Sequence, residues 1–458
     1  MSRAFDVVDH TKLIQKLINK TSIPPLYLKF LSNYIQGRRG YTVTGNATSK
    51  QRSFHGGVAQ GGVLSPQLFN IFMSDMPQPD PSLGIVLVVY ADDVTLLVSH
   101  EKIRVIEQRA QTYLNEVVQW IKENGLILAD KTQVTLFTPD PAEHDTQLNI
   151  ELEGARLETK KNPVILGLTL DPKLNFSQHT KVTETKAKKS LNLIKAISGT
   201  DWGQHKEVLC NTYKQFTRPI IEYASPAWAP TVSKTNIDKL QRIQNQALRL
   251  CTGHTRDTNV RHCHEETQVL PLGIHMQMLS SIYRENCRNP DHPLNHALSD
   301  ADPDRHMKTT SLDTSHVTVV HSCDRETENE RDRTLNKKLI HTETVRRHIS
   351  NTPVHPLLQT TPPKVHQSEQ ELDRSTRRIL AQLRALKSPI LESYKCNIGA
   401  VEVPDCPLCG QHEHNTAHLF ECPELPTDLT PEDLWHRPIM AAQLIQRWQA
   451  ALALAEEA

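Results

Sequence analysis

The stretch Val88-Val89-Tyr90-Ala91-Asp92-Asp93-Val94-Thr95-Leu96-Leu97 constrains this chain more than any other. The apolar, mostly β-branched runs at 85–89 and 94–98 read as strands. Too few residues separate them for anything but a tight hairpin turn. Two neighbouring carboxylates, Asp92 and Asp93, then stand at that turn and repel each other unless a positive group lies beside them. Oxygen-only ligands suit a hard divalent cation, magnesium or manganese, and two such ions about 4 Å apart are the usual apparatus of nucleotidyl transfer. The plain alternative is an Asp-Asp turn that faces water, so the neighbouring segments decide.

Upstream, helices are expected over 11–18 and 24–36, with extended arms over 41–44 and 52–58. A glycine run follows: Gly56, Gly57, Gly61 and Gly62 fall within seven residues. Glycines let backbone approach a ligand closely. Ser65-Pro66 then predicts a helix start with Ser as cap and Pro at the first position, and a loop feeding a helix N-terminus can cradle phosphate or sugar. It can equally be an ordinary loop. Downstream, 103–123 reads as an amphipathic helix ended by Asn124-Gly125, with further strands at 126–128, 134–137, 148–152, 155–157 and 164–170. Residues 1–170 thus read as an α+β domain with a mainly antiparallel sheet.

Residues 171–288 read as helical, at 181–197, 205–217, 235–251 and 272–287. Lys and Arg outnumber Asp and Glu up to about residue 255, which suits a surface that tracks a phosphate backbone or a merely soluble helix face. Residues 289–370 are rich in Pro, His, Thr, Asp and Arg and predict a disordered or loosely ordered linker. A basic helix and connector occupy 371–400, and a short C-terminal helix is expected in 427–458. Between them, within 401–426, Cys406 and Cys409 are spaced to grip one ion from a turn. His418 and Cys422, four apart, would share a helix face. Four soft ligands suit tetrahedral structural zinc with no open position; His412 and His414 compete as ligands only at the expense of a strained loop. The chain has 9 cysteines in 458 residues, unlike a secreted disulfide scaffold. It has no apolar run near the ~20 residues a membrane span requires and no signal peptide, so an intracellular location, nuclear and cytoplasmic, is expected. With 52 basic and 52 acidic side chains, net charge names no partner.

These residues resemble, in order, the motifs of the reverse transcriptases of non-LTR retrotransposons, LINE-type and nearest the jockey-like clades. Ala4-Phe5-Asp6-Val7-Val8-Asp9-His10 is similar to the tail of motif A, and residues 57–66 with Leu68-Phe69-Asn70 to motif B. Tyr90-Ala91-Asp92-Asp93 is similar to motif C, and Asn124-Gly125-Leu126 through Lys131-Thr132 to motif D. Residues 166–171 resemble motif E, Arg218-Pro219 through Trp228 the thumb, and Gln382-Leu383-Arg384 through the Cys406/Cys409/His418/Cys422 knuckle the C-terminal region. The resemblance implies an α+β polymerase palm with an antiparallel sheet, a helical thumb, a long irregular linker and a small zinc knuckle. It implies that Asp92 and Asp93 bind catalytic magnesium. Phe5 would lie under the incoming sugar and favour deoxynucleotides, Gln60 and Gly61 would line the nucleotide and template site, and Lys131 would sit near the pyrophosphate as a proton donor. The partners implied are an RNA template, a DNA primer or target, and dNTPs.

The match departs from the family at one point. Motif A of the family begins with a metal-ligating Asp four residues before Ala-Phe, a position that falls just before Met1, and Asp6 belongs to a different place in the motif. The fingers segments and an upstream endonuclease precede that position in the family. The expectation is therefore a polymerase truncated within motif A and impaired in activity. The alternative is a non-catalytic nucleic-acid-binding remnant that uses the thumb and zinc knuckle.

Overall fold

The computed structural model describes residues 1, 3–129, 131–199, 202–295 and 330–457. The chain divides into two units, Met1–Pro163 and Val164–Ala458, a boundary seven residues before the one expected at 170.

The first unit is built on helices His10–Lys20, Pro25–Ile35, Ser65–Met73 and Ile103–Glu123 around the Ile85–Tyr90/Asp93–Val98 hairpin. The spacing of Leu13 and Leu17 puts both on one face of the first helix, where they are buried with Leu68, Phe69 and Phe72 of the third. Asp9 caps that first helix by accepting from the Lys12 N–H. Lys16 reaches across the core to donate to Asp75 at 2.7 Å, and its ammonium lies 4.4 Å from the centre of the Phe72 ring. The hairpin's inner residues Ile85, Leu87, Val94, Leu96 and Val98 pack on this core, while Val86, Val88 and Leu97 are exposed. That is the period of two expected of a half-buried antiparallel pair.

The strands differ from the expected continuous sheet. The described residues hold six separate two-stranded pairs, five of them antiparallel; Gln133–Val134 with Glu158–Thr159 is parallel. No strand forms at 126–128. Leu126 is instead drawn into the core directly after the Gly125 turn, its N–H bonded back to the Ile121 carbonyl. Alternating apolar residues supply a face to bury, but a strand also needs a neighbouring backbone to pair with, and the local pattern cannot name one. Ser65 differs too: it is the first helical residue, Leu64 stands at the cap, and the buried Ser65 hydroxyl has no hydrogen-bond partner among the described residues.

The second unit is mainly helical. Helices Ser177–Ile197, Lys206–Thr212, Lys234–Thr252, Val260–Thr267 and Leu272–Cys287 enclose a core centred on Leu191, Leu209, Tyr213, Trp228, Leu240 and Leu248. A π-helical turn, Tyr213–Thr217, replaces the end of the helix expected through 217. The linker expectation for 289–370 divides. Residues 296–329 lie outside the described residues. Residues Glu330–Asn351, by contrast, form a helix. Its apolar residues are sparse, which is why composition reads as a linker. Ile340 and Thr344 are buried all the same, and Asn336 donates to Glu285 at 2.8 Å, so a narrow stripe docks on the Leu272–Cys287 helix. The remaining segment through 371 is also ordered, with His355 buried and donating to the Arg384 carbonyl at 2.7 Å.

The basic helix, Arg374–Arg384, turns its arginines inward. Arg374 donates to the carbonyls of Gly199, Gln204 and Leu250, Arg377 pairs with Glu207, and Arg384 pairs with Glu266 and Glu369. Leu380 and Leu383 of the same helix join Cys406, Cys422, Trp435 and Trp448 in one core. The described residues of the expected helical domain, linker, basic helix and knuckle therefore fall in one unit.

Candidate active site and metal centre

The hairpin registers Tyr90 opposite Asp93, leaving Ala91 and Asp92 as a two-residue turn. Ala91 has φ +52°, a left-handed conformation that costs a residue with a Cβ about 1 kcal/mol. Glycine or asparagine is the usual occupant, and backbone strain of this kind concentrates at functional sites. Asp92 is half-buried and Asp93 exposed; neither carboxylate has an ion-pair partner among the described residues. Two adjacent, unneutralised carboxylates at a rigid turn form a donor set for a hard divalent cation.

The amino group of Met1 donates to the Asp92 carbonyl at 2.8 Å. Phe5 follows four residues later, so its backbone N lies within ~17 Å of the Asp92 carbonyl. The Phe5 ring stacks on Phe69, centroids 4.3 Å apart at 17°. Its carbonyl accepts from the Val58 N–H at 2.8 Å, and the Val8 carbonyl accepts from the Gly57 N–H at 2.8 Å. His10 donates to the Gly57 carbonyl at 2.9 Å. Residues 5–10 and the glycine loop are thus pinned together. Gly57 serves this packing rather than a ligand: its φ is +78°, and an added Cβ would lie 2.7 Å from the Asp6 carbonyl. Gly61, at φ +84°, faces open space instead, with nothing within 4 Å of an added Cβ. Gln60, exposed beside it, donates to the Asp6 carboxylate at 2.9 Å. That pairing spans 54 positions, and no local pattern announces it.

Lys131 is exposed and has no side-chain partner among the described residues, and it is not brought to the hairpin turn by any contact of its own. The sequence-predicted residues therefore fall into a group held together at residues 5–10 and the glycine loop (Phe5, Gln60 and Gly61), the Asp92–Asp93 turn contacted by Met1, and Lys131 apart.

In the second unit the ligand atoms of Cys406, Cys409, His418 and Cys422 all lie within 4.8 Å of one another. Gly410, at φ +64°, closes the knuckle by donating to the Cys406 carbonyl at 2.8 Å. His418 sits in a 3-10 turn, not the expected α-helix, with its N–H held by the Asn415 side chain and its Nε2 3.4 Å from the Cys409 sulfur. Of the two competing histidines, His414 is buried against Trp448, rings stacked 5.1 Å apart, and its Nδ1 accepts from the Glu392 N–H. His412 lies outside the four-ligand cluster. Three thiolates and an imidazole in this spacing fit tetrahedral zinc.

Residues 1–170 match the family model described as reverse transcriptase (RNA-dependent DNA polymerase). A probable RNA-directed DNA polymerase from transposon BS of Drosophila melanogaster is 29% identical over 318 residues, 67% of this chain and 34% of that protein. The RNA-directed DNA polymerase from mobile element jockey of the same organism is 26% identical, over 62% of this chain and 31% of that protein. A probable RNA-directed DNA polymerase from transposon X-element is 28% identical, over 66% of this chain and 33% of that protein. Residues 1–170 thus carry a reverse-transcriptase domain, and the chain is similar to the RNA-directed DNA polymerases of jockey-like non-LTR retrotransposons. It spans about a third of the length of these relatives.

The second unit also carries a charge network that no local sequence pattern announces. Arg384 bonds both oxygens of Glu266 at 2.8 Å and one of Glu369 at 2.7 Å; Lys206 bonds Glu266 at 2.6 Å and Glu369 at 3.1 Å. All four side chains are nearly sequestered from solvent. Burial by itself would raise the Glu266 pKa, but Arg384 and Lys206 outweigh it and hold the carboxyl well below its ordinary range. The available signal was the density of arginines in 374–384, which reads as a nucleic-acid surface unless acidic partners are known. Among the described residues, no helix is long and apolar enough to cross a membrane.

Proposed function

We propose that the chain is the catalytic portion of an RNA-directed DNA polymerase that adds dNTPs to a primer 3′-hydroxyl. Residues 1–163 would serve as palm and the helical part of the second unit as thumb. The observation that carries this reading is the strained Ala91-Asp92 turn, whose two carboxylates have no ion-pair partner among the described residues and whose Asp92 carbonyl accepts from the Met1 amino group. Asp92, with Asp93 beside it, would hold magnesium, which when bound supplies charge neutralisation at the α-phosphate and a more acidic 3′-hydroxyl. Phe5, its ring fixed by Phe69, presents a flat apolar floor that a sugar without a 2′-hydroxyl suits. Gln60 and Gly61 would face the base and template, Gly61 because nothing of the protein occupies the space beside it. Lys131 would approach the pyrophosphate only once substrate binds. Positioning of this kind carries much of the rate in phosphoryl transfer.

Cys406, Cys409, His418 and Cys422 would hold a structural zinc. The second reading, a nucleic-acid-binding protein without catalysis, would use the thumb and the zinc knuckle; the arginines of 374–384 add no surface to it, because they are turned inward. Primer extension on an RNA template with magnesium tests the choice. Incorporation that disappears in Asp92→Ala supports the polymerase, and incorporation indifferent to that change refutes the site. RNA binding without incorporation favours the second reading.

A further inference from the structure

Between His10 and Ser74 the chain has eight Lys and Arg and not one Asp or Glu, although the whole sequence balances 52 against 52. Three of the eight are committed inside the fold. Lys12 donates to the Glu123 carbonyl and Lys16 to Asp75, and Arg38 donates to the carbonyls of Ile35, Gly56 and Gly57. Three more, Arg39, Lys50 and Arg52, lie on one projecting β-arm, residues 39–55. None of them has an ion-pair or side-chain hydrogen-bond partner among the described residues, and every residue from Tyr41 to His55 is exposed.

The arm is built as a ladder. Arg39–Gly40 pairs antiparallel with Arg52–Ser53, and Val43–Thr44 with Ala47–Thr48. Two aromatic rings are interleaved with its cations. Tyr41 is 62% exposed and Phe54 50%. Phe54 is held in place, not loose: its ring covers Gly40, where an added Cβ would fall 2.8 Å from Phe54 Cε2, and the Arg38 guanidinium lies 6.0 Å from the ring centre. Leaving such rings in water is unfavourable, and no acid is near to satisfy the cations. Cations without partners among the described residues, alternating with exposed rings, form the kind of surface that grips single-stranded nucleic acid, phosphates on the cations and bases stacked on the rings. A duplex would use the cations but has no free base faces for the rings.

We infer that the 39–55 arm is a binding surface for unpaired template RNA. The identity of the strand rests on the polymerase reading above, in which the unpaired strand is RNA. Arg38 makes the connection physical, since it ties the base of the arm to the Gly56 and Gly57 carbonyls, three residues before Gln60. RNA held on the arm is therefore held beside the glycine loop.

The test is fluorescence anisotropy of a labelled single-stranded RNA with the full chain, without dNTP or divalent cation, across a range of salt. Arg39→Gln/Lys50→Gln/Arg52→Gln is expected to weaken binding at least about tenfold and to reduce the salt slope by about 2, at ~0.7 per phosphate contact. Tyr41→Ala/Phe54→Ala is expected to weaken binding about tenfold while leaving the slope unchanged. Circular dichroism melts matching the parent show that neither variant acts through unfolding; if the aromatic pair melts early, Tyr41→Leu alone takes its place. Parent-like affinity and slope in both variants overturn the arm. So does an equal loss on duplex RNA or a stronger dependence on single-stranded DNA. A chain that binds RNA through the arm yet incorporates no nucleotide keeps this proposal and removes the polymerase reading.

Discussion

Arg384→Met tests whether the buried charges hold the second unit together. Arg384 and Lys206 face Glu266 and Glu369, so two positive and two negative charges cancel away from solvent. Arg384 and Glu266 have side chains only 3% and 4% exposed. Methionine fills similar volume but leaves Glu266 with Lys206 alone and Glu369 with Lys206 and the more distant Arg377, 3.7 Å away, and it also strands the Leu434 carbonyl, which Arg384 bonds at 2.7 Å. Removing one partner of a buried pair costs about 3–5 kcal/mol, because the other charge stays buried without compensation. The assay is urea unfolding followed by tryptophan fluorescence, in which Trp228 and Trp435 report on the two cores of this unit. Arg384→Met/Glu266→Met, which removes an opposite pair, should recover at least about 2 kcal/mol of the summed single losses. The sign with pH is defined as well. The folded pKa of Glu266 lies below its unfolded value, so its contribution is full above the ordinary glutamate range and is lost as pH falls through the folded value. Arg384→Met should shrink that acid dependence. A cost under about 1 kcal/mol, or strict additivity in the double variant, would refute the reasoning.

Gly57→Ala, at φ +78° and against the Asp6 carbonyl, should destabilise the first unit by about 1–3 kcal/mol and cut primer extension more than RNA binding, read by melts beside both assays. His254 is buried between Thr252 and the Ala381 carbonyl, and burial pushes its pKa down to about 4. Its neutral form is the folded one, so stability should be full above pH ~6.5 and fall by up to ~3 kcal/mol as pH drops toward 4. His254→Gln should flatten that part of the profile, measured by urea titration at several pH values. Removal of metal by a chelator should lower the melting temperature of the second unit by several degrees, because ligand binding to the folded state alone stabilises it. Cys406→Ser should abolish both zinc content by elemental analysis and the chelator effect; a parent without zinc would remove the assignment.

The sequence by itself determined what is local and periodic. The hairpin around Asp92 was legible because two apolar, mostly β-branched runs separated by only four residues admit little but a tight turn. The 103–123 helix was legible to the residue, its stripe ending at Asn124-Gly125. The cysteine knuckle was legible from spacing alone, since a four-ligand cluster needs only two short turns to close. The ordered series of motifs carried the family. Tertiary structure decided whatever depends on which distant backbone or charge arrives alongside. It paired Gln60 with Asp6 and placed Gly57 against the chain at Asp6. It broke the expected sheet into separate pairs and docked Glu330–Asn351 where composition suggested a linker. It turned the arginines of 374–384 toward Glu207, Glu266 and Glu369 and left those of the 39–55 arm in water. A guanidinium has the same chemistry in both places. Only the position of the nearest carboxylate, many residues away in the chain, separates a structural clamp from a surface free to hold phosphate.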